Sequence, residues 1–123
     1  MAKTALELTR EELRAYRPGK AGGTWNAEKR WTQGWEVARA AGRLLRGQFG
    51  ATRVVAFGSL ARREEFGPWS DIDLAAWGIP TDQFYRAVAA VTGLSPTFEV
   101  NLVDAQDCRP SIREAIEREG IEL

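Results

Sequence analysis

The chain has 123 residues, 44% of them hydrophobic and 28% charged, which is the length and composition of one globular domain. It contains no histidine and a single cysteine, Cys108, so histidine-dependent hydrolysis, histidine metal ligation and an internal disulfide are excluded. No run approaches the roughly 20 apolar residues of a membrane span, and residues 1–10 lack the pattern of a signal peptide. We therefore expect a cytoplasmic protein without a membrane partner.

The formal net charge is zero, but the charges are unevenly distributed. Residues 1–63 carry 13 Lys and Arg against 5 Asp and Glu, whereas residues 64–123 carry 4 against 12. This asymmetry fits a basic surface for a polyanion beside an acidic site, and it equally fits an accident of helix composition.

Residues 1–24 are predicted to be an N-terminal appendage and linker. The sequence from Thr9 to Glu12 is a capping box for a short helix that Pro18 ends. Residues 20–23 have the composition of a flexible connector. Residues 25–123 then form the main domain.

That domain is predicted to begin with a long helix, from about Trp25 to Phe49. Its apolar residues recur at alternating steps of four and three, which places them on one helical face. We expect the tryptophans of this face to belong to the core rather than to a base-stacking platform. The face consists of Trp31, Trp35, Ala38, Leu45 and Phe49, with Gly42 between them.

Three strands are predicted further along the chain. The apolar run Arg53–Phe57 is typical of a central strand covered on both faces. Asp71–Trp77 is the second strand, and the strictly alternating segment Thr97–Val103 is the third. A polar stretch from Leu60 to Ser70 separates the first two.

Two further helices complete the predicted order. Thr81 is expected to cap the first, which ends at Gly93. The second runs from Pro110 or Ser111 to Glu119, and residues 121–123 follow as a short tail. The first of these helices is expected to bury Phe84, Tyr85, Val88 and Val91. The order predicts a small α+β domain with a single sheet.

Paired carboxylates on the second strand are the most informative chemical feature. Asp71 and Asp73 are two residues apart and therefore point to the same face, with their α-carbons about 6.6 Å apart. Two neighbouring carboxylates repel unless a cation compensates them, and Mg²⁺ is commonly held by such a pair together with substrate phosphates. The alternative is a solvated strand end.

Two other groups of residues are candidates for the same site. Gly58 and Ser59 directly follow a buried strand, where backbone amides and a hydroxyl can bind a phosphate, especially if Leu60–Glu65 begins a helix; the alternative is a plain turn. Glu99 and Asn101 share a face of the third strand and lie near the aspartates if the two strands pair. Solvation of an edge strand is the competing interpretation.

Together these segments resemble the minimal nucleotidyltransferase family of the DNA polymerase beta superfamily. The resemblance rests on the run from Phe57 to Arg62 followed by the run from Trp69 to Leu74, and it covers roughly residues 26–123. It implies a mixed sheet flanked by helices and the transfer of a nucleotide monophosphate from an NTP, with ATP as the expected donor, to a hydroxyl of a macromolecule.

The resemblance also assigns roles to individual residues. Gly58, Ser59 and Arg62 would bind the triphosphate, and Asp71 and Asp73 would bind two Mg²⁺ ions. Alignment of the reactants and neutralisation of charge are most of what phosphoryl transfer requires from a protein.

One position departs from the family pattern. Asn101 stands where a third carboxylate is expected, and an amide neither accepts a proton readily nor carries charge to hold a metal. Either Glu99, on the same face, replaces the missing carboxylate, or the domain is a catalytically weakened module that binds NTP and metal and acts by binding a partner.

Family members are commonly the antitoxin half of a toxin–antitoxin pair in which a helical HEPN-type ribonuclease is the acceptor, so a protein acceptor is expected here. A third hypothesis makes the arginine-rich first half a nucleic-acid surface, which predicts binding that falls steeply with salt.

Overall fold

The computed structural model describes residues 26–123. The helix and connector expected within residues 1–24, and Trp25, lie outside the described residues. Three helices and four strands follow one another in the described part of the chain. They are α1 (Ala27–Phe49), β1 (Arg53–Phe57), β2 (Ile72–Trp77), α2 (Thr81–Thr92), β3 (Val100–Asp104), α3 (Pro110–Glu119) and β4 (Ile121–Glu122).

The four strands form one mixed sheet in the order β3-β2-β1-β4. β1 pairs antiparallel with both β2 and β4, whereas β2 and β3 run parallel. The predicted α+β class with a mixed sheet and flanking helices is confirmed. The fourth strand was not expected: residues 121–123 were predicted to be a tail, and two residues are too few to show a strand pattern.

The helices cover the two faces of the sheet separately. α1 and α2 pack on one face, where Leu45 and Val91 belong to the same buried cluster as Val54 and Leu74. α3 packs on the other face, where Ile116 joins a smaller cluster around Phe57, Ala75 and Ala105. Because Asp73 is two residues from Ala75, it points to the face that α3 covers.

Several local predictions are wrong. Tyr85 is 85% exposed, because α2 buries Ala87 and Val91 instead. Pro80 precedes α2, and Thr81 is its first residue rather than a side-chain cap. The strands begin later than predicted, at Ile72 and Val100.

The segment after β1 does not form the helix that was considered for Leu60–Glu65. Gly58–Leu60 and Arg63–Glu65 are single 3₁₀ turns rather than an α-helix. Such short turns have little helix dipole, so any anion binding here must come from individual amides and side chains. Within the described residues, no helix is long and apolar enough to cross a membrane.

Candidate active site

The two aspartates converge because of the register between β2 and β3. Asp73 is paired with Asn101 across these parallel strands, and Asp71 immediately precedes β2. The amide Nδ2 of Asn101 donates to Asp73 Oδ1 at 3.2 Å and to Asp71 Oδ2 at 3.4 Å. Both carboxylates are thus aimed at one point between them.

Asp73 lies in an environment that disfavours its charged form. Desolvation raises the pKa of its carboxyl above the usual range, the Asn101 hydrogen bond and the Arg62 charge lower it, and the charges of Glu119 and Glu99 raise it. The net direction is upward, so the surroundings of Asp73 do not fully compensate its ionised form.

Unlike Asn101, Glu99 makes no side-chain hydrogen bond to the two aspartates. Its backbone carbonyl accepts from the amide of Ile72 at 2.9 Å, which puts it beside Asp71 in the continued strand register. Its side chain is exposed and has no hydrogen-bond or ion-pair partner within residues 26–123. It is close enough for its charge to act on Asp73.

The donor set at this point fits a hard divalent cation. No group of three His, Cys, Asp or Glu side chains that could hold a metal occurs among the described residues, and the third group here is the Asn101 amide. Rotating that amide by 180° brings its oxygen to the position of its nitrogen. Two carboxylates and one amide oxygen are ligands of the kind that Mg²⁺ accepts.

The glycine-serine turn lies against this carboxylate pair. Phe57, the last residue of β1, is paired with Asp73, so the chain turns directly beside that carboxylate. Gly58 has φ +77°, and a Cβ there would lie 2.5 Å from Asp73 Oδ2. Only glycine satisfies both conditions. The Ser59 hydroxyl has no hydrogen-bond partner in the described part of the chain.

A residue that the sequence did not single out completes this turn. The Gly58 amide donates to Glu119 Oε1 at 2.9 Å, and the Arg62 guanidinium pairs with the other oxygen, Glu119 Oε2. Arg62 also donates through Nε to Glu65 at 2.9 Å. Glu119 is the last residue of α3, and no local pattern connects it with a glycine 61 positions earlier.

The contacts of Arg62 also affect its pKa. Desolvation lowers this pKa, while the charges of Glu119 and Glu65 and their hydrogen bonds raise it, and the net direction is upward. Arg62 is a cation at neutral pH like any arginine, and its charge acts on Asp73.

A left-handed glycine turn that faces paired aspartates across two antiparallel strands places the domain in the nucleotidyltransferase class of folds. A solved protein described as a minimal nucleotidyltransferase superposes on it with a TM-score of 0.54 and 30% sequence identity, over 80% of this chain and 97% of the other. The chain belongs to the minimal nucleotidyltransferase family, as its sequence motifs indicate.

Two further solved structures share the fold. One is a toxin–antitoxin complex with AMP-PNP, with a TM-score of 0.57 and 18% identity over 69% of this chain and 70% of that one. The other is a mutant of the toxin–antitoxin pair MntA–HpeT, with a TM-score of 0.57 and 16% identity over the same shares. No protein-family model and no curated protein matches the sequence.

Proposed function

We propose that this protein is a Mg²⁺-dependent nucleotidyltransferase that transfers AMP from ATP to a hydroxyl group of a protein partner. The observation that carries the proposal is the convergence of Asp71 and Asp73 beside the Gly58 turn. A carboxylate pair that would hold a cation, next to a turn whose Ser59 and Arg62 would bind phosphate, supports binding of a metal-bound triphosphate.

Different residues of the site would bind the metal and the triphosphate. Asp71 and Asp73 would hold Mg²⁺, with Asn101 supplying an amide oxygen, and the metal would neutralise phosphate charge during transfer. Ser59 and Arg62 would hold the triphosphate from the side of the turn. The attacking hydroxyl oxygen forms a bond to the α-phosphorus, and the bond from that phosphorus to pyrophosphate breaks.

The proton of the attacking hydroxyl needs an acceptor. Asn101 cannot serve, because an amide is not basic at neutral pH. We assign this role to Glu99, whose carboxylate is exposed and unpaired within residues 26–123 and lies beside Asp71 in register. The reaction therefore keeps a general base despite the amide at position 101.

The nature of the acceptor is supported by the structural neighbours. Two of them are toxin–antitoxin complexes, one solved with AMP-PNP. We propose accordingly that the chain acts as an antitoxin and that the acceptor is a toxin of the helical HEPN ribonuclease type.

A second candidate function follows from Asn101. A domain with only two carboxylates can retain NTP and Mg²⁺ while having lost efficient transfer, and then acts by binding its partner. This candidate predicts that partner binding survives loss of both aspartates, whereas the first predicts a covalently modified partner.

Incubation with ³²P-α-labelled ATP, Mg²⁺ and the proposed HEPN-type toxin partner tests the proposal. We expect label on the partner and at least about a hundredfold less in D71N, because the metal contributes several kcal/mol to transfer. D82N, an exposed aspartate on α2, is the matched control and should transfer normally. Absence of label, or full labelling by D71N, would refute the enzymatic function.

A further inference from the structure

The carboxylate of Glu119 lies in an unusual place for an acidic side chain. It is the last residue of α3, at the helix end where the backbone dipole disfavours negative charge. Its side chain is only 10% exposed. One of its oxygens accepts from the Gly58 amide, and the other pairs with the Arg62 guanidinium. The exposed Arg118 of α3 lies farther away, with its guanidinium 3.6 Å from Glu119 Oε2.

The position of Glu119 is fixed by the packing of the residues that follow it. A Cβ on Gly120 would lie 2.5 Å from Val55 Cγ1, so the backbone packs too closely against β1 for any side chain at this position. β4 then pairs with β1, and the Leu123 amide donates to the Val54 carbonyl at 2.9 Å. Glu119 is therefore held from its C-terminal side by the sheet.

Arg62 is held in turn by two carboxylates. Its Nε donates to Glu65 and its Nη1 to Glu119, which leaves Nη2 and one hydrogen of Nη1 for another acceptor. A free arginine side chain loses rotamer entropy on binding a ligand. Two fixed ion pairs remove part of that loss before a phosphate arrives.

We propose that Glu119 is a positioning residue that orients Arg62 toward the triphosphate of the nucleotide and ties it to the Gly58 turn. This role rests on the proposed function. Because Glu119 uses one oxygen for each partner, it sets the distance between the turn and the guanidinium. Nothing in the role requires Glu119 to touch the nucleotide.

Affinity for AMP-PNP in the presence of Mg²⁺, measured by calorimetry, tests the role without relying on transfer. E119Q keeps the shape of the side chain but loses the charge that holds Arg62. Because an Arg62 side chain that is no longer held must be immobilised when the nucleotide binds, we expect affinity to fall by about fivefold to tenfold. E117Q, an exposed glutamate on the same helix, is the matched control and should bind as the wild type does.

A double-mutant cycle separates positioning from a general structural effect. If Glu119 acts through Arg62, adding E119Q to R62A should weaken AMP-PNP binding by less than about twofold, because the two changes remove one interaction. An equal loss in both backgrounds would overturn the role. Unchanged or tighter binding by E119Q alone would also overturn it, and tighter binding would make Glu119 a competitor of the phosphates.

A measurement on the wild-type chain covers the case in which E119Q does not fold. The Nη1–H group of Arg62 that donates to Glu119 should give a slowly exchanging NMR signal without nucleotide, and a rapidly exchanging one would contradict the role. A wild-type chain that binds no AMP-PNP would refute the proposed function together with this role. Normal wild-type binding that E119Q leaves unchanged would refute this role alone.

Discussion

The carboxylate pair and the glycine turn differ in how their charges are compensated. At the carboxylate pair, Asp71 and Asp73 share the neutral amide of Asn101, and desolvation raises the pKa of Asp73 despite the charge of Arg62. At the glycine turn, Arg62 meets Glu119 and Glu65, and the Gly58 amide has a carboxylate acceptor. The charges of the turn are balanced within the chain, whereas burial disfavours the charged form of Asp73, and a cation would relieve this under the proposed function.

This difference bears on how each half of the site would respond to the ligands of the proposed function. A preorganised turn would lose little entropy when a phosphate binds, whereas a cation would relieve the unfavourable burial of the Asp73 charge. The two halves meet where Gly58 approaches Asp73 Oδ2. Substitutions at that contact should therefore disturb both the glycine turn and the carboxylate pair.

The largest effect is expected from G58A. Alanine is strained at φ +77°, and its Cβ would lie 2.5 Å from Asp73 Oδ2, so the turn and the carboxylate must separate. A displacement of about 1 Å costs about a hundredfold in rate at a site that works by alignment. Labelled transfer measures the loss, and thermal unfolding should show a destabilisation of about 1–3 kcal/mol.

G47A is the matched control for this substitution. A Cβ at Gly47 meets no atom within 4 Å, and the residue lies inside α1, where alanine favours the helix by about 1 kcal/mol. G47A should be at least as stable as the wild type and fully active. Normal transfer by G58A would mean that the turn and the carboxylate pair act independently.

A smaller effect is expected from N101D, which makes the pair into three carboxylates. We expect Mg²⁺ affinity, measured by calorimetry, to rise by about tenfold, since ligand charge count strengthens binding of hard cations. Without metal the variant should be less stable than the wild type, because a third like charge joins a half-buried pair.

The comparison of N101D with E99Q identifies the general base. If Glu99 accepts the proton, E99Q should abolish labelled transfer while N101D changes it little. If the domain is a weakened binding module, N101D should raise transfer and E99Q should leave it unchanged. E114Q, an exposed glutamate on α3, is the control for removal of a surface charge.

The carboxylate pair and the turn could be predicted from the sequence because their signals are local. Alternation along a strand fixes that Asp71 and Asp73 share a face, and a glycine after a buried strand marks a turn. The confirmed mixed sheet followed from the family resemblance and from the order of elements. That the Asn101 amide bridges both aspartates depended on the strand register, which the alternating pattern does not specify.

Glu119 and β4 could not be predicted because they depend on tertiary contacts. Glu119 reaches Gly58 across 61 positions, and β4 is two residues that become a strand only beside β1. The error at Tyr85 has a similar cause. Periodicity shows that α2 has an apolar side, but the packing against α1 and β3 determines which flanking residue is buried, and Tyr85 is left in solvent.

The smallest expected effect concerns stability without metal. Desolvation raises the pKa of Asp73 in the folded chain, so the protonated carboxyl favours folding more than the ionised one does. Its contribution to the free energy of unfolding is therefore fully present below the unfolded pKa of about 3.9 and is lost as the pH rises through the folded pKa. In EDTA at pH 7, D73N should therefore unfold at a higher temperature than the wild type, and the difference should disappear near pH 3. D82N should show no such difference.

Millimolar Mg²⁺ should raise the unfolding temperature of the wild type but not of D73N. A D73N variant less stable than the wild type in EDTA at pH 7 would show that the carboxylate pair is already compensated within the chain.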